Sequence, residues 1–260
     1  MQVLTCPVSE AELLLRSIER SVTDAVAGQP RVALAYSGGL DSSLLVALAK
    51  RETEVRCYVA CTPGSHDAKA APAHAEADGA ALEILELTED DIRRLAALAA
   101  SILGSKDPVR VGYTIPLLSV VQACREGTVL VGNLADELFA GYAKYDSVED
   151  PTALMKIDLE KALSELGKLN DYTNCEHKRF AAPFASKEVI ETAASMPLSR
   201  LIGPRGRKLI LREVARDIGL NAHDRPKKAA QYSSGVAKAI ERMAKREGLS
   251  LRVWIESLAG

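Results

Sequence analysis

At 260 residues, 47% hydrophobic and 26% charged, the chain can bury the core of one large domain, or of a domain with a smaller lobe. A formal net charge of −2 excludes an overall basic field that would hold nucleic acid irrespective of sequence. No apolar run reaches membrane-spanning length, and MQVLTCPVSE lacks the basic and apolar parts of a signal peptide, so a cytoplasmic location is expected. The five cysteines (Cys6, Cys57, Cys61, Cys124, Cys175) form no C-x-x-C pair and are expected to be mostly inert buried thiols. The four histidines have no metal-ligand spacing.

In chain order, residues 9–27 are expected to open the fold as a helix, with Ser9 as N-cap ahead of Leu14, Ile18 and Val22 at helical spacing. Residues 32–36 are a short apolar run of buried-strand type, and residues 40–50 continue past two glycines as a helix too apolar to be exposed all round. The cycle repeats: strand 54–61, helix 66–79, strand 81–87, helices 89–103 and 117–125, strand 128–131. That rhythm implies an α/β fold with a parallel sheet and crossover helices, in which ligands lie beyond the carboxyl ends of the strands. Past Asp150 no strand is expected; residues 153–169, 187–194, 207–218 and 235–247 read as helices. The division expected is therefore a nucleotide-type sheet domain over 1–150 and a C-terminal helical lobe over 151–260.

Between the first strand and its helix stands Ser37-Gly38-Gly39-Leu40-Asp41-Ser42-Ser43. A strand running through glycines into a helix aims several unpaired N–H groups one way, with the positive end of the helix dipole behind them. Gly38 and Gly39 permit a concave nest of such groups, and the three serines add hydroxyl donors, so the place suits an anion. The plainer alternative is that Ser and Asp only cap a core helix. The lysine of GxxxxGK(S/T) and the spacing of GxGxxG are both absent.

The segment resembles the SGGxDS loop of the PP-loop ATP pyrophosphatases. Residues 129–142, VLVGNLADELFAGY, are similar to the GEGADELFGGY stretch of asparagine synthetases. Lys208-Leu-Ile-Leu211-Arg212 resembles their KxxLR helix, and Arg225-Pro-Lys227 their RxK loop, in the same order. The resemblance runs from about Leu13 to Gly235 and covers only the synthetase half of those enzymes. Gln2 stands where their glutaminase half has its cysteine, and that half is expected to be missing.

The resemblance implies a Rossmann-like fold of the adenine nucleotide alpha hydrolase type, with helices on both faces of a parallel sheet. It implies a ligase that uses ATP and Mg2+ to activate a carboxylate as an acyl-adenylate, which ammonia or another amine then attacks; asparagine synthesis from aspartate is the named expectation. Tyr36, Val59 and Gly132 would meet the adenine, and Ser37, Gly38, Gly39, Asp41, Ser42 and Ser43 the pyrophosphate. Magnesium prefers one or two carboxylates plus phosphate oxygens and water, and Asp41 and Asp136, each past the end of a strand, are its candidates. An acid-rich first helix turn is the plainer reading of Asp136 and Glu137. Lys208, Arg212, Lys227 and Lys228 compete for the charge developing on the α-phosphate; Lys227 lies at the family's catalytic lysine, and Lys228 takes that place if the loop slips by one. Asn133 replaces a glutamate that organises the substrate, and Leu134 replaces a glycine and is expected to crowd it. Expected partners are a small carboxylate and ammonia, a separate glutaminase or amine-donating protein, and a second copy of the chain, with no membrane and no nucleic acid. Two other readings stand beside this one: a PP-loop enzyme that adenylates a base in RNA, which the charge and the 4% aromatic content oppose, and a nucleotide-binding regulator without chemistry, which the change at Asn133 keeps open.

Overall fold

A computed structural model describes residues 8–225 and 233–258. Helix α1 (Glu10–Val26) opens on Ser9, whose hydroxyl accepts from the Glu12 N–H at 3.1 Å. The chain then alternates through β1 (Arg31–Ala35), α2 (Leu40–Ala49), β2 (Glu54–Cys61), α3 (His66–Ala77), β3 (Ala81–Glu86), α4 (Glu89–Leu103), α5 (Pro108–Ala123) and β4 (Thr128–Leu130). A short helix α6 (Ala135–Leu138), the long α7 (Pro151–Cys175), β5 (Arg179–Ala181), α8 (Lys187–Ala194), a two-residue ribbon and α9 (Leu209–Asp217) follow, then α10 (Val236–Arg246) and α11 (Leu251–Leu258).

The sheet is parallel throughout, in the order β3-β2-β1-β4-β5. Strands β1, β2 and β4 are largely buried on both faces, whereas the edge strand β3 is mostly exposed. In β1, Val32 and Leu34 face one apolar cluster with α1, α2 and α9, while Ala33 faces another with α4, α5 and α10. The same alternation puts Leu130 of β4 with the first cluster and Val129 with the second. This is the Rossmann-like architecture expected, with helices on both sides. Strand order reverses between β1 and β4, and the crevice at their carboxyl ends is where such sheets bind ligands.

Three expectations change. A strand does occur past Asp150: β5 pairs Phe180 with Val129 on β4, so the sheet takes its fifth strand from the later part of the chain. Helix α5 starts at Pro108, not at residue 117; Asp107 caps it by accepting from the Val109 N–H at 2.8 Å, and Pro108 fits the first turn, where no N–H is required. Helix α11, unpredicted, buries Trp254 and Ile255. Of the described cysteines, Cys57, Cys61 and Cys124 are buried and Cys175 is exposed; burial pushes the Cys57 thiol up to about 12. Among the described residues no helix is long and apolar enough to cross a membrane.

Candidate active site

The loop after β1 has the geometry that its glycines announce, though only one of them needs to be glycine for its conformation. Gly38 has φ +67°, and a Cβ there would lie 2.5 Å from His74 Nδ1. Gly39 is extended, at φ −83°, and caps α2 without a side-chain bond. The first helical bond shown runs from the Ser43 N–H to the Gly39 carbonyl at 3.0 Å, so the N–H groups ahead of it have no acceptor inside the helix. The Ser42 hydroxyl binds the Gly39 carbonyl at 3.1 Å and lies 3.2 Å from the Ser37 hydroxyl, closing the loop on itself.

The β4 end comes down directly on this loop. A Cβ on Gly132 would touch Asp41 Cβ at 3.4 Å, so the second motif meets the first at the switch point of the sheet. Asn133 is half-buried there. Leu134 does not crowd the pocket as expected: its side chain is 2% exposed and packs in the apolar cluster beneath the sheet. Its cost lies in the backbone, at φ +76°, where a glycine would be relaxed. That conformation costs about 1–2 kcal/mol, whereas burying a leucine contributes about 1.5–3 kcal/mol, before the void it would leave is counted. Leu134→Gly is therefore expected to lower the denaturant midpoint, despite relieving the strained φ; a rise would show that the strain dominates.

Both acidic candidates converge on Lys208. This residue precedes α9 in a left-handed conformation, φ +57°, and is 3% exposed. Its ammonium lies 2.6 and 2.7 Å from the two Asp41 carboxylate oxygens and 2.6 Å from Asp136 Oδ1. Burial by itself would lower the Lys208 pKa, but the two carboxylates outweigh it and hold the ammonium above its ordinary value. Gly141 makes the approach possible: a Cβ there would fall 1.9 Å from Asp136 Oδ1 and 2.4 Å from Lys208 Cε. Two carboxylates sharing one cation position match magnesium's preference for few protein carboxylates completed by phosphate and water. Among the described residues no cluster of three or more His, Cys, Asp or Glu suggests any other kind of metal site.

The two arginines of the third and fourth motifs are engaged in support. Arg212 donates from Nε to the Arg207 carbonyl at 3.0 Å, and its other nitrogens reach the carbonyls of His223 and Arg225. It does not compete for phosphate charge as the sequence suggested. Arg225 donates to the Gly38 carbonyl at 2.9 Å, to the Ser43 hydroxyl at 2.8 Å and to Asp78 at 2.8 Å. Asp78 also receives the Tyr36 hydroxyl at 2.6 Å, and burial together with that bond pushes the Tyr36 phenol up. Sequence reasoning missed Asp78, because Ala-Asp-Gly-Ala at a helix end reads as an ordinary turn.

Glu137, next to Asp136, points inward and accepts the Tyr142 hydroxyl at 2.6 Å. Burial raises its pKa above the ordinary 4.5; Tyr142 opposes that rise and the charge of Asp136 adds to it. The folded chain thus holds a proton on Glu137 more tightly than the unfolded chain. The resulting stability is complete below 4.5 and is lost as pH rises through the raised value. Glu137→Gln, which keeps an acceptor for Tyr142, is expected to remove that slope, leaving the variant at least as stable at neutral pH. Melting temperatures of both proteins from acid to neutral pH check this; a variant less stable at every pH would contradict it.

The structure thus brings together Tyr36, Ser37, Gly38, Gly39, Asp41, Ser42, Ser43, Gly132, Asn133, Asp136 and Lys208 at one crevice. Val59 is inside β2, paired with Ile84, and the strand runs on to Cys61. Lys227 and Lys228 lie outside the described residues.

The family model for asparagine synthase matches residues 13–174 and 153–252 of this chain. The chain belongs to the asparagine synthase family. A protein of Methanocaldococcus jannaschii, named "Putative asparagine synthetase (glutamine-hydrolyzing) 1", is 30% identical over 282 aligned positions, covering 92% of this chain and 52% of its own length. The chain therefore spans about half of that asparagine synthase relative. Asparagine synthetase domain-containing protein 1 of Gallus gallus is 36% identical over 124 positions, 42% of this chain and 19% of its own. Among solved structures, NMN synthetase from Francisella tularensis is a loose likeness, with 13% identity and a TM-score of 0.43, covering 98% of this chain and 86% of that one.

Proposed function

We propose that this chain is an ATP-dependent ligase that joins a carboxylate to an amine through an acyl-adenylate, releasing AMP and pyrophosphate. The observation that supports it most is the meeting of Asp41, from the phosphate-type loop after β1, with Asp136, from beyond β4, on the Lys208 ammonium. The loop N–H groups and serine hydroxyls would hold the departing pyrophosphate, and Lys208 would supply positive charge beside it. Asp41 and Asp136 would hold Mg2+, which neutralises phosphate charge when bound. Attack of the substrate carboxylate oxygen on the α-phosphorus forms the mixed anhydride and expels pyrophosphate; the amine then attacks the carbonyl, expels AMP and gives up a proton.

The acid activated is proposed not to be aspartate. Asn133 offers a neutral acceptor and two donors, and can neither pair as an anion with a substrate ammonium nor take a proton from an incoming amine. Nitrogen is proposed to come as ammonium or from a separate protein. Exchange of pyrophosphate into ATP, measured against a panel of carboxylic acids and a tRNA pool, tests the whole reading. Exchange stimulated by an acid other than aspartate is expected. Stimulation by tRNA alone would move the function to RNA modification, and efficient ammonium-dependent AMP release with aspartate would make the chain an asparagine synthetase despite Asn133.

A further inference from the structure

We propose that Asp78 is a positioning residue for the phosphate loop, acting through Arg225 on the Gly38–Gly39 peptide. This deepens the adenylation reading and rests on it. Asp78 follows α3 immediately, where a carboxylate meets the negative end of the helix dipole, and its side chain is only 2% exposed. Both circumstances disfavour a charge there unless donors compensate it. Three do: the Tyr36 hydroxyl, the Ser43 hydroxyl and the Arg225 guanidinium, which reaches it at 2.8 and 3.2 Å.

The arrangement controls a peptide plane. Arg225 Nη1 is shared between Asp78, Ser43 Oγ and the Gly38 carbonyl. Since a peptide is planar and trans, fixing the Gly38 carbonyl on the guanidinium turns the Gly39 N–H to the opposite edge. Among the described residues that N–H has only a long contact, 3.4 Å, to the Ser37 hydroxyl, so a stronger acceptor such as a phosphate oxygen can compete for it. Asp78 holds the guanidinium in place for this task. The hold extends further: the Arg225 carbonyl is bound by Arg212, whose Nε binds the Arg207 carbonyl beside Lys208. One buried carboxylate thereby ties the loop after β1 to the start of α9.

Titration of Mg-ATP into folded protein below its melting temperature, by calorimetry, tests the role. Asp78→Asn is expected to bind ATP at least tenfold more weakly than wild type while melting cooperatively. Asp78→Glu keeps the charge but crowds the site, and is expected to recover most of the affinity even where its melting temperature is the lower of the two. Affinity that follows melting temperature instead of charge would overturn the proposal, as would a folded Asp78→Asn with wild-type affinity. Should Asp78→Asn fail to fold, Arg225→Lys serves: a lysine keeps the cation but cannot span Gly38, Ser43 and Asp78 together, and unchanged binding would overturn the proposal. A wild-type chain that binds no ATP would instead sink the adenylation reading, so the two failures are distinct.

Discussion

Asp41→Asn and Asp136→Asn should each lower acid-dependent ATP–pyrophosphate exchange by about a hundred- to a thousandfold, the range for losing one preorganised electrostatic group. Each substitution keeps the shape and leaves Lys208 one of the two carboxylates it now contacts at 2.6–2.7 Å, so the fold is expected to survive. On the proposed reading, what is lost is half of the carboxylate charge that would hold Mg2+ against ATP. A tenfold rise in magnesium should restore little, because the remaining carboxylate would hold the ion from one loop only. Lys208→Met is the contrasting case. It takes the Lys208 ammonium away from Asp41 and Asp136 in a site that is 3% exposed at the lysine, and breaking such a buried pair costs about 3–5 kcal/mol, so there the melting temperature should fall as well. Near-normal turnover of either Asn variant at ordinary magnesium would remove that residue from the site.

Gly141→Ala should be strongly damaging for the addition of a single methyl group. A Cβ 1.9 Å from Asp136 Oδ1, 2.8 Å from its Cγ and 2.4 Å from Lys208 Cε cannot be accommodated without moving both side chains. Overpacking a tight site costs about 1–3 kcal/mol, and displacing a catalytic group by an ångström can cost about a hundredfold in rate. Turnover is therefore expected to fall by about two orders of magnitude while the chain remains folded at room temperature. Gly127→Ala is the control: a Cβ there meets nothing within 4 Å, and the backbone is not left-handed. Equal activity in the two variants would show that the Asp136–Lys208 contact can relax without consequence.

How much of this was legible in the sequence depends on how local each signal was. Strands β1, β2 and β3 and the loop after β1 announce themselves through apolar runs interrupted by Gly and Ser, and the structure places them as read. Asp41 and Asp136 were readable because each sits in a dense motif. Strand β5 was not: its three residues, Arg179–Ala181, are too few to show a period, and only pairing with β4 makes them a strand. The supporting role of Arg212 and Arg225 was equally hidden, since a guanidinium directed at carbonyls looks in sequence like one directed at phosphate. Leu134 shows the opposite error. The loss of a glycine was legible, but the direction of the new side chain was set by the tertiary core that receives it.

The register of the sheet also sets an order of events for the newly made chain. Strand β1 pairs with β2 through Arg31 and Glu54, 23 positions apart, but with β4 through Ala33 and Val129, which requires closing a far longer loop. A chain that has assembled β1, β2 and β3 already owns Asp41 and the glycine turn, yet has nothing opposite them. Asp136 and Lys208 arrive only when β4 docks and the segments after it follow. Local contacts form faster than distant ones, so the first half of the proposed nucleotide site is expected to precede the second during refolding. Protection of the chain by ATP would accordingly report the last step of assembly, and would stabilise only molecules that have completed it.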